Sequence, residues 1–377
     1  MNNRTSTTRI ARTAAAAIAV SAALLAGCSG GNKDEASGGA AKGAETGELH
    51  VYTWGDYMAT EFIEAFEAKY GCKVVIDTYD SNEAMYAKLK AGGSGYDVII
   101  PSSYMIGAMA REGLIVPLDH SKLPNVRKNF DKSFESQVLD PTFKYNVPYA
   151  ITYTGLCVDK TKIPEGVDVA TWKVLENGAF RGKVTLLDDY REVIGAGLMS
   201  LGYSLNSQKA EEIDAAVAEV LKWKKNIRKF DAESYKTEVP SGATWIGHGY
   251  STDVRQVIDG DEEEDMPPCP NIEFVLPREG FTIACDEMVL SSKAPNPDLA
   301  YKFMDFLYEG ENAKVNMEYL LGPNPVKPAI DALDQEFRDS IIPPAEAIKA
   351  GQVLGPVDDA MAIYQKAWDR IKATSAN

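Results

Sequence analysis

The sequence predicts an α/β protein with mostly parallel strands flanked by helices. Three observations point there. Short runs rich in β-branched and aromatic residues alternate with amphipathic helical stretches. Gly or Pro punctuates the end of nearly every stretch. Hydrophobic residues make up 45% of the chain, enough for packed cores. The roughly 330 residues after the N-terminal leader exceed what one core usually serves, so two lobes are expected.

The elements follow in order. Glu48–Trp54 reads as a strand running into Gly55-Asp56. Thr60–Tyr70 reads as a helix, with Phe62, Ile63, Phe66 and Tyr70 on one side and Gly71 as its stop. Lys73–Asp77 is a second strand, 82–91 a second helix closed by Gly92-Gly93, and 97–100 a third strand closed by Pro101. Another helix over 104–112 ends before Gly113. Alternation of this kind implies a parallel sheet covered on both faces. Further on, Lys183–Leu187 reads as a strand. Asp188-Asp189 opens a helix to about Leu201, and Gln208–Phe230 reads as one long helix. Ile272–Leu276 and Glu287–Leu290 read as strands, with Asp286 beginning the second, and Asp298–Tyr308 and Val357–Lys372 as helices. In the last, Met361, Tyr364, Trp368 and Ile371 form a core stripe.

The N-terminus has the form of an export signal. Arg4, Arg9 and Arg12 precede an apolar run over 14–25, too short for a comfortable membrane span. Leu24-Leu25-Ala26-Gly27-Cys28 resembles a bacterial lipobox, which implies removal of residues 1–27 and lipidation of Cys28. Ser29–Gly47 has no apolar periodicity and reads as a flexible tether with a reach of roughly 20–26 Å. No later run is long enough to span a bilayer.

The chain carries 39 basic and 55 acidic residues, a formal net charge of -16. That balance disfavours nucleic acid and favours cationic partners. Acidic clusters at Asp261–Asp265 and Glu211-Glu212 read as solvated faces. Besides Cys28 there are Cys72, Cys157, Cys269 and Cys285. Outside the cytoplasm they permit two disulfides, with Cys269–Cys285 the preferred pair and free thiols the alternative. With three histidines and no Cys/His cluster, no metal site and no cofactor are expected.

In parallel sheets, ligands bind beyond the carboxyl ends of the strands. Trp54-Gly55-Asp56-Tyr57 and the loop leading to Tyr104 occupy such ends. Asp189 and Glu192 lie on one side of a first helical turn. Asp286 stands beside Cys285. Carboxylates among aromatic faces suit a ligand with ammonium groups on an apolar linker. The carboxylates accept charge-assisted hydrogen bonds, and each ring adds about 0.5–2 kcal/mol of cation–π attraction. The same residues also permit duller roles: Asp188 or Asp189 as a helix cap, Trp54 and Tyr104 as core, or a carboxylate pair as acid and base of a hydrolase.

Four segments carry a resemblance: Val51–Tyr57, Thr78–Lys90, Tyr96–Tyr104 and Leu187–Val193. Together they resemble the spermidine/putrescine-binding proteins of bacterial ABC importers, over essentially all of 48–373. The resemblance implies a two-lobed periplasmic-binding-protein type II fold with a polyamine between the lobes, delivered to ABC permease subunits. It implies an N-terminal lobe of 48–154 plus about 286–308, and a C-terminal lobe of 155–285 plus about 309–377. The crossovers would fall near Thr154, Asp286 and Tyr308. It implies a binding role without catalysis and a location outside the cytoplasm, the lipobox adds a lipid anchor, and a monomer is expected. By resemblance Trp54 and Tyr57 wall an aromatic box with Asp56 near an amine. Ser102, which only the resemblance adds, and Tyr104 line the same crevice. Asp189 receives an amine, and Glu192 and Asp286 hold one end of the ligand.

The chain departs from that family at Ala284, Gly247, Pro323 and Leu354, where binding residues are expected. A small shift would bring Trp245, His248 or Tyr250 into the place of Gly247. The alternatives are the same fold with another organic cation, the same fold with ferric ion (disfavoured by the lack of an adjacent Tyr pair), and a secreted carboxylate-based hydrolase. A receptor role without transport is a further possibility.

Overall fold

A computed structural model describes residues 47–260 and 266–374 of the 377-residue chain. The leader, Cys28, the tether up to Thr46 and the acidic run Asp261–Asp265 lie outside the described residues.

Ten strands make one sheet: β1 (Glu48–Thr53), β2 (Lys73–Thr78), β3 (Val98–Ile99), β4 (Asn146–Asp159), β5 (Val184–Leu186), β6 (Ile227–Phe230), β7 (Ile246–Tyr250), β8 (Ile272–Val275), β9 (Phe281–Leu290) and β10 (Gly351–Val353). Their order is β2-β1-β3-β9-β4-β7-β5-β6, with β10 beside β9 and β8 on β4. The expected parallel parts are present at both ends: β1 pairs parallel with β2 and β3, and β5 pairs parallel with β6 and β7. Between them runs an antiparallel centre. β4 pairs with β9 from Asn146–Val289 to Thr154–Thr282, then takes β7 as its partner from Thr154–Tyr250 onward.

Helix boundaries follow the sequence closely where caps are strong. The helix Thr60–Tyr70 ends at Gly71, which adopts φ 65° and returns its N–H to Glu67. A residue without Cβ takes that left-handed conformation most easily. Asp189 caps the helix Tyr190–Ser200. Apolar side chains gather in separate clusters. One contains Phe62, Phe66, Phe303 and Phe306, with Phe66 and Phe303 edge to face at 5.0 Å. It continues through Ala313, Met317, Val326 and Ile330. Another contains Val193, Ile194, Leu198, Tyr364, Trp368 and Ile371, around Trp172 and Trp223 stacked at 6.4 Å.

Three expectations are corrected. The long helix over Gln208–Phe230 is two elements, a helix Ala210–Trp223 and strand β6. Asn226 makes the break. It is fully buried, and its amide donates to the carbonyls of Leu175 and Asn177 at 2.8 Å each, so Ile227–Phe230 turns to pair with β5. Strand β9 starts at Phe281, so Asp286 sits mid-strand and does not open the strand. The pair Cys269–Cys285 does not form. Cys285 packs beside Ile283 in the cluster of Phe62, whereas Cys269 packs against Tyr235 and Cys157 in a different cluster. All four described cysteines are free thiols. Strands β4, β7 and β10 had no individual sequence signature.

Two glycines set how β7 is covered. A Cβ on Gly247 would lie 2.7 Å from Tyr235 Cβ, and one on Gly249 only 2.3 Å from the Tyr235 ring. The ring is buried there because its hydroxyl donates to Asp253 at 2.5 Å and accepts from the N–H of Tyr250 at 3.2 Å. Gly249→Ala therefore overpacks a strand. It should lower the unfolding free energy by about 1–3 kcal/mol, read as a drop in thermal midpoint of several degrees. An unchanged midpoint would contradict this packing.

Candidate functional site

One end of the site is built on Asp286. A bridge between Ser102 and Asp286 brings the turn after β3 against mid-β9. Ser102 Oγ donates to Asp286 Oδ1 at 2.6 Å, and Tyr57 Oη donates to Oδ2 at 2.5 Å. Both carboxylate oxygens thus hold one hydroxyl each. Burial raises the Asp286 pKa, and the Ser102 and Tyr57 hydrogen bonds work against that rise. The Tyr57 phenol is pushed well up, by burial first and then by the Asp286 charge, so it stays a donor. Tyr57 is fixed in turn from behind, since Tyr149 donates its hydroxyl to the Tyr57 carbonyl and packs ring against ring at 5.3 Å.

The other end is built on Glu192 and Asp189. Glu192 is only 3% exposed, yet it makes two hydrogen bonds: Thr154 donates to Oε1 at 3.2 Å and Thr282 to Oε2 at 2.8 Å. Those threonines face each other in the β4–β9 pairing, at the residue where β4 exchanges β9 for β7. Burial, and then the Asp189 charge, push the Glu192 carboxyl up to about 8. Asp189 is the helix cap that one alternative foresaw. Its Oδ1 accepts from the N–H groups of Arg191 at 2.7 Å and Glu192 at 3.1 Å. Both bonds fall on one oxygen, so the other is left for a further donor and capping does not exclude binding. Burial raises the Asp189 pKa against those backbone bonds.

Further aromatic rings belong to the elements that carry these ends. Tyr104 receives a hydrogen bond from Asn82 at 3.0 Å. Burial raises its pKa, and the charges of Glu83 and Asp189 add to that. Tyr250, at the end of β7, pairs with Thr154, the residue that donates to Glu192, and its pKa is raised by burial first and then by the Asp189 and Glu192 charges. Trp54 packs on Tyr79 at 4.6 Å, half-buried. Asp56 stands apart: it is exposed, at φ 48°, and has no hydrogen bond or ion pair among the described residues.

The departures from the resemblance have structural explanations. Tyr235 fills the space a side chain at 247 would need, so no wall residue can project there. Trp245 lies at the far end of β7 against Phe180, and His248 is buried edge-on to Trp172. Of the three substitutes, Tyr250 alone pairs with a residue that holds a site carboxylate, Thr154 on Glu192. Ala284 is half-buried opposite Thr152, on the same strand face as Asp286 two residues on, which leaves that stretch of wall low. Pro323 is buried and uses its carbonyl to accept from Ile151 at 2.9 Å. Leu354 is 8% exposed and belongs to the cluster of Tyr364.

Several residues escaped the sequence. Thr154, Thr282 and Tyr149 carry no pattern, because strand pairing brings them in from distant positions. Asn82 lies in the Thr78–Lys90 segment but looks like an ordinary helix start. Arg191 could have been noticed beside Glu192. It is 3% exposed, donates to Asn206 and the Gly355 carbonyl at 2.9 Å each, and lies 5.8 Å from the Tyr104 ring centre. A set of desolvated carboxylates with hydroxyl donors and aromatic faces can hold organic cations. Among the described residues no group of three or more His, Cys, Asp or Glu could hold a metal ion.

Comparison with known proteins agrees with this chemistry. The sequence profile described as bacterial extracellular solute-binding protein matches residues 61–344. A putrescine/cadaverine-binding protein of Pseudomonas aeruginosa is 36% identical over 80% of this chain and 88% of its own length. The spermidine/putrescine-binding periplasmic protein of Escherichia coli is 32% identical over 89% of this chain and 94% of its own. Among solved structures, a spermidine/putrescine ABC transporter substrate-binding protein of Streptococcus pneumoniae superposes with a TM-score of 0.77. It is 33% identical and covers 87% of this chain and 99% of its own. The chain therefore belongs to the bacterial extracellular solute-binding protein family, whose members bind solutes for ABC transporters and are not enzymes.

Proposed function

We propose that this protein binds a polyamine or diamine of the putrescine–spermidine class outside the cytoplasm and delivers it to an ABC importer. The observation that carries this reading is the pair of carboxylates, half-buried Asp286 and buried Glu192, each held by two hydroxyl donors. A ligand with an ammonium at each end neutralises both carboxylates, and its methylenes lie along Tyr57, Tyr104 and Tyr250. Trp54 adds a further wall, and Asp56 faces solvent at the mouth. The relatives named for putrescine, cadaverine and spermidine support the ligand class.

Two lobes are part of the proposal: 48–154 with about 286–308, and 155–285 with the C-terminal part. The separate apolar clusters support two bodies, and the extension of the first cluster to Ile341 supports assigning more of the chain after 308 to the first lobe. β4 and β9 would be the connecting strands, and Glu192 would sit on the hinge between them. Closure around the ligand is then the working motion. A lipid on Cys28 would keep a monomeric body within a tether's reach of its permease. No helix among the described residues is long and apolar enough to cross a membrane.

The central test is calorimetric or thermal-shift titration with putrescine, cadaverine, spermidine, spermine, choline and arginine. A ligand at a hundred times its Kd should stabilise the fold by about 2.7 kcal/mol. Silence toward every amine at millimolar concentration would reject the proposal. Asp286→Asn and Glu192→Gln should each weaken the bound amine by about 2–5 kcal/mol, thirtyfold or more in Kd, because each leaves an ammonium without its counter-charge.

Protonation gives a separate prediction. The Glu192 carboxyl is raised from 4.5 to about 8, so the empty fold takes up a proton that the unfolded chain does not. The stability from that proton is fully present below about pH 4.5 and is lost as pH rises to about 8. The empty wild type should therefore lose stability relative to Glu192→Gln between pH 5 and 8. Amine binding at pH 7 should release protons, seen as a binding enthalpy that varies with the buffer. A buffer-independent enthalpy would mean that Glu192 is already ionised in the empty protein.

A further inference from the structure

We propose that Asn82 is a positioning residue of the amine site, whose carboxamide fixes the hydroxyl protons of Ser102 and Tyr104 so that Ser102 must donate to Asp286. The inference rests on the cation-binding function proposed above, but its central geometry is independent of any ligand.

Asn82 is the first residue of the helix Asn82–Lys90, behind the Ser81 cap, and is 5% exposed. The N–H of Ser102 donates to Asn82 Oδ1 at 3.1 Å. A backbone N–H can only donate, so this bond identifies the amide oxygen and fixes which way the amide faces. The NH2 group then points at two hydroxyls, Ser102 Oγ at 3.1 Å and Tyr104 Oη at 3.0 Å. An amide NH2 cannot accept, so each hydroxyl must accept from Asn82 and direct its single proton elsewhere. For Ser102 the partner is Asp286 Oδ1 at 2.6 Å, and Tyr57 supplies the proton on Oδ2 at 2.5 Å.

The consequence concerns the charge on Asp286. A protonated Asp286 would need to donate through one oxygen, and Oδ1 faces the Ser102 hydroxyl that Asn82 commits to donating, so only Oδ2 toward Tyr57 is left to carry the proton. Asn82 thereby removes one of the two ways in which Asp286 could hold a proton and so favours the ionised carboxylate, the form an ammonium requires, without touching the ligand. Tyr104 keeps its own proton for an acceptor in the cleft.

A purely local role makes the opposite prediction. If Asn82 only starts its helix, Asn82→Asp is benign or helpful: a carboxylate suits a helix N-terminus, and the acceptor for the Ser102 N–H is retained. The added negative charge would also strengthen binding of any cation. The positioning role predicts a loss instead. The introduced carboxylate offers no donor, so Ser102 and Tyr104 turn their protons toward it, and Asp286 loses the Ser102 hydrogen bond.

The test is a double-mutant cycle of Asn82→Asp and Ser102→Ala in the full chain at pH 8, read twice. The first readout is thermal stability of the empty protein, and the second is the Kd for putrescine by calorimetry. The expected result is a tenfold or greater rise in Kd for either single variant, with little further loss in the double variant, and sub-additive stability losses in the empty protein. Unchanged or tighter putrescine binding by Asn82→Asp, or additive losses in either readout, overturns the inference. Should Asn82→Asp fail to fold, Asn82→Ala replaces it in the same cycle. If the wild type binds no amine, the cation-binding function fails, while the stability cycle on the empty protein still decides the role of Asn82.

Discussion

The pairing of β4 with β9 is the constraint on which the rest of the structure depends. These are the two long strands, of 14 and 10 residues, and both run through the centre of the sheet. Their register sets Thr154 opposite Thr282, so the two hydroxyls that hold Glu192 arrive together. The same strand β9 carries Asp286 to the turn after β3, four residues from Thr282 and on the same face. Asp286 and one of the threonines that hold Glu192 thus hang from one strand. A slip of one residue would turn Asp286 and Thr282 to the opposite face of the sheet.

Desolvation opposes that arrangement. Taking carboxylates out of water is costly unless hydrogen bonds replace the lost hydration. Here the replacements are mostly neutral hydroxyls: Tyr57 and Ser102 on Asp286, Thr154 and Thr282 on Glu192. Neutral donors hold a carboxylate in place but leave its charge uncompensated, and burial keeps the pKa values raised. The carboxylates are thus positioned by donors that do not cancel their charge. Arg191 is the exception, a buried guanidinium beside Asp189 and Glu192, and it lowers both of their pKa values.

The aromatic wall is uneven for steric reasons visible in the packing. Tyr235 lies under β7 and forbids side chains at Gly247 and Gly249, so Tyr250 at the strand end is what β7 contributes. Ala284 leaves the β9 face low beside Asp286. The first half of the chain supplies the fuller share of rings, through Trp54, Tyr57 and Tyr104.

The sequence by itself determined the parallel alternation at each end of the sheet, the stop at Gly71, and the placing of Tyr57 and Tyr104 just beyond strands and of Asp189 and Glu192 at a helix start. These rest on local physics: periodicity, backbone freedom of glycine, and the bias of ligand loops toward strand ends. Legibility failed where distant residues decide. Gln208–Phe230 has helical periodicity throughout, but two carbonyls from Leu175 and Asn177 capture Asn226 and break it. Cys269 and Cys285 are close in sequence yet pack in different clusters. Asp189 could be read as a cap or as a ligand carboxylate, and the structure makes it a cap on one oxygen with the other left over. Thr154, Thr282 and Asn82 carry no local signal, because their roles exist only through partners that strand pairing brings within hydrogen-bond distance. The carboxylates, hydroxyls and rings are written in the chain, but which of them meet is decided by the register of β4 on β9.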